Sequence, residues 1–166
     1  TGARASEVGQ LLVADMVEVG GINCIFVTDD GEHQQLKSEV SKRTVPIHPT
    51  LTSLKFSEYV KSLTGKRLFP NGQEVTVNGA GNWISKAFSA HIKTVGKDWK
   101  PAKRGFHSLR KTVIQTMQTA GVTSEMRAQI VGHELDDEHH ATYSREFTPK
   151  EKLKSMKLNY GLDLDA

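Results

Sequence analysis

An α+β fold is predicted, mainly helical, with a small antiparallel three-stranded sheet near the start of the chain. Two observations carry this. Within the first fifty residues, short runs rich in β-branched and apolar residues alternate with turn-forming segments. Beyond residue 50 the apolar residues recur at helical spacing. The length, 166 residues, suits one hydrophobic core and is short for two domains. A quarter of the residues charged and 37% hydrophobic is globular composition and argues against a disordered tail.

Taken in order, residues 3–12 (ARASEVGQLL) have helical composition, with Val8, Leu11 and Leu12 on one side. Strands are expected at 22–28, 33–36 and 43–47, separated by the turn segments DDGE and KSEVSK. From Thr50, the residues Leu51, Leu54, Val60 and Leu63 lie near a 3.6-residue period. A Gly/Asn-rich break at 78–82 precedes another helix to about Val95, and 97–105 (KDWKPAKRG) is a basic loop. Helix resumes over 107–120, where Leu109, Val113 and Met117 are four apart. Gly121 suits the left-handed residue that ends it, and Thr123 or Ser124 caps a further helix to about Val131. A short helix is expected around Tyr143. Thr148-Pro149-Lys150-Glu151 then forms a capping box with proline in the first turn, the start of a last helix.

The net charge of +3 hides an uneven distribution. Residues 1–32 carry one Arg against six acids. Residues 86–111 carry eight Lys and Arg against Asp98 alone, and an acidic run follows at Glu134, Asp136, Asp137 and Glu138. A basic segment of that density supplies phosphate-directed attraction, and the competing reading is a solvated helix face plus loop. No apolar run approaches the ~20 residues of a membrane-spanning helix, and no signal peptide opens the chain, so no membrane partner is expected. The single cysteine, Cys24, excludes an internal disulfide, fits a reducing compartment, and sits in an apolar run that suits a core residue better than a nucleophile.

Several residues carry chemistry. His107-Ser108-Leu109-Arg110 places an imidazole and a guanidinium on one helical turn, after the basic loop, where free N–H groups help bind an anion. Gly132-His133 ends a helix 23 residues on, and Tyr143 follows in ATYSR. Near the start, TGARASE puts Arg4 at a helix beginning, and LKSEVSKRTVP stands before the last strand candidate. Together these fragments resemble the catalytic domain of the tyrosine recombinases, the phage-integrase family, whose order is Arg, Lys, His-x-x-Arg, His or Trp, then Tyr. The match runs from residue 1 to about 146.

The resemblance implies six catalytic residues: Arg4, Lys37, His107, Arg110, His133 and Tyr143. Arg4 and Arg110 would clamp the non-bridging phosphate oxygens, remaining charged at any working pH. His107 and His133 would add donors, with His107 able to exchange a proton with the attacking or leaving oxygen. Tyr143 would be the nucleophile; a free phenol has a pKa of about 10, so it needs cationic surroundings to favour its phenolate. Lys37 would protonate the departing 5′ oxygen. Glu7 would orient Arg4 by ion pairing. The expected product is a 3′-phosphotyrosine bond and a free 5′ hydroxyl, reversed by the partner strand without metal, ATP or other cofactor. Lys97, Lys100, Lys103, Arg104 and Lys111 would contact DNA.

The partners implied are double-stranded DNA attachment sites and further protomers, a tetramer on paired sites and a monomer in isolation. A cytoplasmic protein of bacterial or phage origin is expected. Arg4 stands almost at the first residue, so the expectation is a fragment cut before its first catalytic arginine, without the family's core-binding domain. The tail, 148–166, would dock on a neighbouring protomer or fold back in cis.

Rival readings are specific. Lys42 and Arg43 compete with Lys37 as general acid, Arg being the poorer proton donor. Residues 113–131 also read as a non-catalytic helix-turn-helix around Gly121. The run His133-Glu134-Leu135-Asp136-Asp137, with His139 and His140, is a near miss for a zinc site.

Overall fold

A computed structural model describes residues 1–70, 79–95, 105–134 and 145–161. Helix α1 (Ala5–Gly9) opens where the backbone N–H of Arg4 donates to Glu7 Oε2 at 2.8 Å. It is shorter than the expected helix over 3–12. Past Gly9 the chain pairs with a distant segment instead of itself: Leu68 N–H donates to Leu11 O at 2.9 Å and Val13 N–H to Lys66 O at 2.8 Å. That pairing buries Leu11 and Leu68 in the core.

The sheet has three antiparallel strands, β1 (Met16–Val19), β2 (Ile22–Val27) and β3 (Arg43–Pro46), with β2 in the centre. Gly20 and Gly21, both at positive φ, form a two-residue hairpin turn that sets Val19 opposite Ile22. The expected strand at 33–36 is therefore corrected: it is irregular, and the third strand is β1. Buried Gln34 holds that loop in place of a ladder. Its amide Nε2 donates to Asp15 Oδ2 at 2.8 Å, and its Oε1 accepts from Gly31 N–H at 2.9 Å.

The helical run after residue 49 divides into α2 (Pro49–Ser53) and α3 (Phe56–Ser62) at Lys55, which adopts φ +58°. The reorientation lays Phe56, Val60 and Leu63 against the core. Then follow α4 (Asn82–Val95), α5 (Phe106–Thr119), α6 (Ser124–Val131) and α7 (Pro149–Met156). Thr123 caps α6 through Met126 N–H, and Thr148 caps α7 through Glu151 N–H, each at 3.3 Å. The expected helix around Tyr143 lies outside the described residues.

The core gathers Ile25, Val27 and Val45 from the sheet, Met117 from α5, Met126, Ile130 and Val131 from α6, and Met156 from α7. Cys24 is fully buried beside it, and burial pushes its thiol pKa up, as suits a small core residue. Helix α7 packs on β3 and β2 of its own chain, so the helical part of the tail docks in cis. Among the described residues no helix is long and apolar enough to cross a membrane.

Helices α1 and α4 meet through glycine. A Cβ on Gly9 would stand 2.2 Å from Ala80 O, and one on Gly81 would stand 2.4 Å from Ser6 N. Both obstacles are backbone atoms, so no side chain can give way. Gly→Ala in a helix ordinarily stabilises by about 1 kcal/mol. Here Gly9→Ala is expected to destabilise by roughly 2 kcal/mol through overpacking, lowering Tm by about 6 °C. Adding Gly81→Ala should cost less than its separate effect, because both force the same helix apart. An unchanged Tm for Gly9→Ala would contradict this packing.

Candidate active site

Two arginines from distant segments share one buried carboxylate, and a third stands near them. Glu7, on the first turn of α1, is 3% exposed. Its Oε1 accepts from Arg4 Nη1 at 2.6 Å, and its Oε2 accepts from Arg43 Nη2 at 2.9 Å. Burial alone would raise its pKa; the hydrogen bond and charge of Arg43, with the backbone and side-chain hydrogen bonds of Arg4, outweigh burial and hold the carboxyl below its ordinary value. The pair expected between Glu7 and Arg4 is thus present, and Arg43 joins it.

Arg4 reaches across the fold. Its Nη1 also donates to Ser41 Oγ at 3.2 Å, and its Nη2 donates to Gly132 O at 2.9 Å. Arg43 is buried: its Nε donates to Ile130 O at 2.8 Å and its Nη1 to Ser41 O at 2.6 Å. Gly132 lies against that guanidinium. It has φ +68°, and a Cβ there would sit 2.5 Å from Arg43 Nη1, so the end of α6 can occupy this place only as glycine.

Arg110 completes the group from the first turns of α5. Its Nη1 donates to Gly2 O at 2.6 Å, just ahead of Arg4. Its Nη2 is buried and has no hydrogen-bond partner among the described residues. Burial, then the charge of Arg4, pushes its pKa down to about 10; Glu7 opposes this and Arg43 adds to it. The guanidinium stays protonated at neutral pH, at an energetic cost that an incoming anion would relieve.

The two histidines lie at the rim. His133 directly follows Gly132, and His107 stands one helical turn before Arg110; both are exposed. His133 has its pKa lowered, first by burial of the ring and then by the charges of Arg110, Arg4, Arg43 and His107. It is therefore neutral at pH 7, able to donate one N–H without adding charge. The charges of Arg110, Arg4, Arg43 and His107 thus all bear on the His133 ring.

Lys37 is exposed on the loop before β3, and Lys111 is exposed on α5. Tyr143, Lys97, Lys100, Lys103 and Arg104 lie outside the described residues, as do Asp136, Asp137, Glu138, His139 and His140. Both rivals of Lys37 are engaged elsewhere. Lys42 Nζ donates to Asp30 Oδ1 at 2.5 Å, and Arg43 is enclosed by Glu7, Ser41 and Ile130. Helix α6 buries Met126, Ala128, Ile130 and Val131, half its length, which leaves it little surface to lay in a DNA groove as a recognition helix.

No protein-family model, curated protein or solved structure matches this chain. What the arrangement can do thus rests on its chemistry. Two guanidiniums keep spare donor capacity, a neutral imidazole and a second imidazole lie near them, and the Glu7 carboxylate among them is already paired. Such a site favours an anion with several oxygens, and phosphate above all.

Two residues of this site were missed from sequence, Ser41 and the buried role of Arg43. A signal existed for Arg43. In β3 it alternates with Val45, so the period of two that turns Val45 inward turns Arg43 inward as well. An inward arginine demands a carboxylate, and a helix-start glutamate beside Arg4 was available.

Proposed function

We propose that this chain is the catalytic domain of a tyrosine recombinase, a DNA strand transferase that integrates or exchanges double-stranded DNA at specific sites. The observation that carries the reading is the buried Nη2 of Arg110, which has no hydrogen-bond partner among the described residues and lies within the field of the half-buried Arg4. Tyr143 attacks the scissile phosphorus, the P–O bond to the phenolic oxygen forms, and the P–O5′ bond breaks. The phenolic proton passes to a base, for which His107 is the candidate. The 5′ oxygen takes a proton from the Lys37 ammonium and leaves as a hydroxyl. Arg4 and Arg110 hold the non-bridging oxygens while charge builds on them, and His133 adds an uncharged N–H donor. The phosphotyrosine conserves the bond energy, so the 5′ hydroxyl of a partner strand reverses the step with no ATP.

Charge on the outer surface supports a nucleic-acid partner. Helix α4 has no acidic residue, and Lys86 and Lys93 line one open groove on it with Ser85 and Ser89. Lys111 is exposed on α5, and the basic loop joins these two helices in sequence. Recombination between two duplexes further calls for protomers on each, the tetramer expected for paired sites.

The test is covalent trapping. The protein is incubated with a pool of nicked duplexes of randomised sequence, so that cleavage releases a short fragment and leaves the enzyme attached. A denaturant-resistant adduct is expected, mapping by mass spectrometry to the peptide with Tyr143. Tyr143→Phe should abolish it while DNA binding is retained. No adduct from the wild-type protein, or an adduct on another peptide, overturns the assignment.

A further inference from the structure

The loop between β2 and β3 has two anchors, and Lys37 stands between them. On the upstream side Gln34 is tied to Asp15, and the partly buried Leu36 packs against the core. On the downstream side, Ser38 and Ser41 face each other with their hydroxyl oxygens 3.3 Å apart. Ser38 begins the short 3-10 turn Glu39–Ser41, where serine commonly caps the helix with its side chain. It makes no such bond. Its hydroxyl is turned to Ser41 instead.

Ser41 is fully buried and holds both arginines that bind Glu7. Its Oγ accepts from Arg4 Nη1, and its carbonyl accepts from Arg43 Nη1. With Arg4 donating to Ser41 Oγ, the Ser41 proton is free to be given to Ser38 Oγ. A chain of donors then runs from a charged guanidinium to the residue next to Lys37, each bond polarising the next.

We infer that Ser38 and Ser41 are positioning residues that lock the Lys37 loop onto Arg4, so that the proton donor and the phosphate clamp are set as one unit. This rests on the recombinase reading above. Lys37 is exposed and its alkyl stem is long, so fixing the backbone on either side of it removes much of the motion that would misplace the ammonium. Ser38 acts on Lys37 alone; Ser41 acts on Lys37 and Arg4 together.

The two roles separate by the leaving group. In an ordinary duplex the departing 5′ oxygen needs a proton from Lys37. In a duplex with sulfur replacing that bridging oxygen, the thiolate leaves unprotonated, so the proton donor becomes dispensable. Cleavage of both duplexes, drawn from the trapped sequence pool, is measured for wild type, Ser38→Ala and Ser41→Ala. Ser38→Ala is expected to slow the oxygen duplex by about ten-fold and to cleave the sulfur duplex at the wild-type rate. Ser41→Ala should be slower on both, because it also loosens Arg4. Equal losses on both duplexes for Ser38→Ala, or no loss on either, overturn the inference while the recombinase reading stands. Failure of the wild-type protein to form any adduct overturns that reading first. Thermal unfolding of Ser38→Ala, which removes a half-buried hydroxyl only, should stay within about 2 °C of wild type.

Discussion

Arg110→Met is expected to lower the rate of phosphotyrosine formation by about 10²–10³-fold while leaving the protein folded and no less stable than wild type by more than about 1 kcal/mol. The two halves of this prediction come from the same geometry. The guanidinium is 2% exposed, carries one hydrogen bond to Gly2 O, and leaves Nη2 unpartnered among the described residues. A buried charge held next to Arg4 and Arg43 is costly to the folded state, as its lowered pKa records. Methionine removes that cost, fills a similar volume, and gives up the bond to Gly2. Loss of function with no loss of stability marks a residue kept for its ligand. Arg110→Lys should fail almost as badly, because an ammonium cannot present a planar fork to two oxygens. The ligand half can be read without DNA. Millimolar inorganic phosphate should raise the wild-type Tm by filling the site and should leave that of Arg110→Met unchanged. A phosphate effect of equal size in both proteins would place the anion elsewhere. A large drop in Tm for Arg110→Met would make the arginine structural.

How much of this was legible beforehand depends on the distance over which each feature is determined. Signals contained within one turn of chain were readable: the capping box at Thr148, the left-handed Gly121 after α5, and the stop at Gly132-His133. The ends of α4, α5 and α6 accordingly fall close to expectation. Features set by a distant partner were not readable. Residues 33–36 have the composition of a strand, but Gln34 satisfies Asp15, 19 residues away, and the loop stays irregular. Met16–Val19 is an edge strand because the two-residue Gly20-Gly21 turn folds it back on β2. The α2–α3 break depends on one left-handed lysine that no local rule marks. The candidate site divides similarly. Order and spacing point to Arg4, His107, Arg110 and His133 as candidates, whereas the places of Ser41 and the inward Arg43 depend on bonds shared among residues 7, 41, 43 and 130. The sequence pairs Glu7 with Arg4 alone, whereas in the fold it serves Arg4 and Arg43.

That double service makes Glu7→Gln the substitution with the largest expected effect on stability, about 3 kcal/mol. The amide keeps the shape, but it leaves Arg43 charged, 4% exposed, and without its countercharge, and it turns an N–H₂ toward one of the guanidiniums. For a chain of this length, Tm should fall by roughly 10 °C. The pH dependence has a definite sign. The Glu7 carboxyl has a lower pKa folded than unfolded, so the unfolded chain binds its proton first as pH falls. Its stabilising contribution is therefore complete above the ordinary value of 4.5 and is lost as pH falls below that value through the folded-state pKa. Wild type should lose stability on acidification over that range, and Glu7→Gln should lose less, the two curves converging in acid. Replacing both partners separates packing from function. Glu7→Gln with Arg43→Met should recover most of the lost stability, since the buried charge is gone together with its countercharge. On the recombinase reading it should not recover cleavage, because Arg4 still lacks the carboxylate that aims it at Gly132 O. If the double variant regained both, Glu7 would act on the site only through the fold; if Glu7→Gln unfolded at the wild-type temperature, the buried pair would not be holding α1 to the sheet.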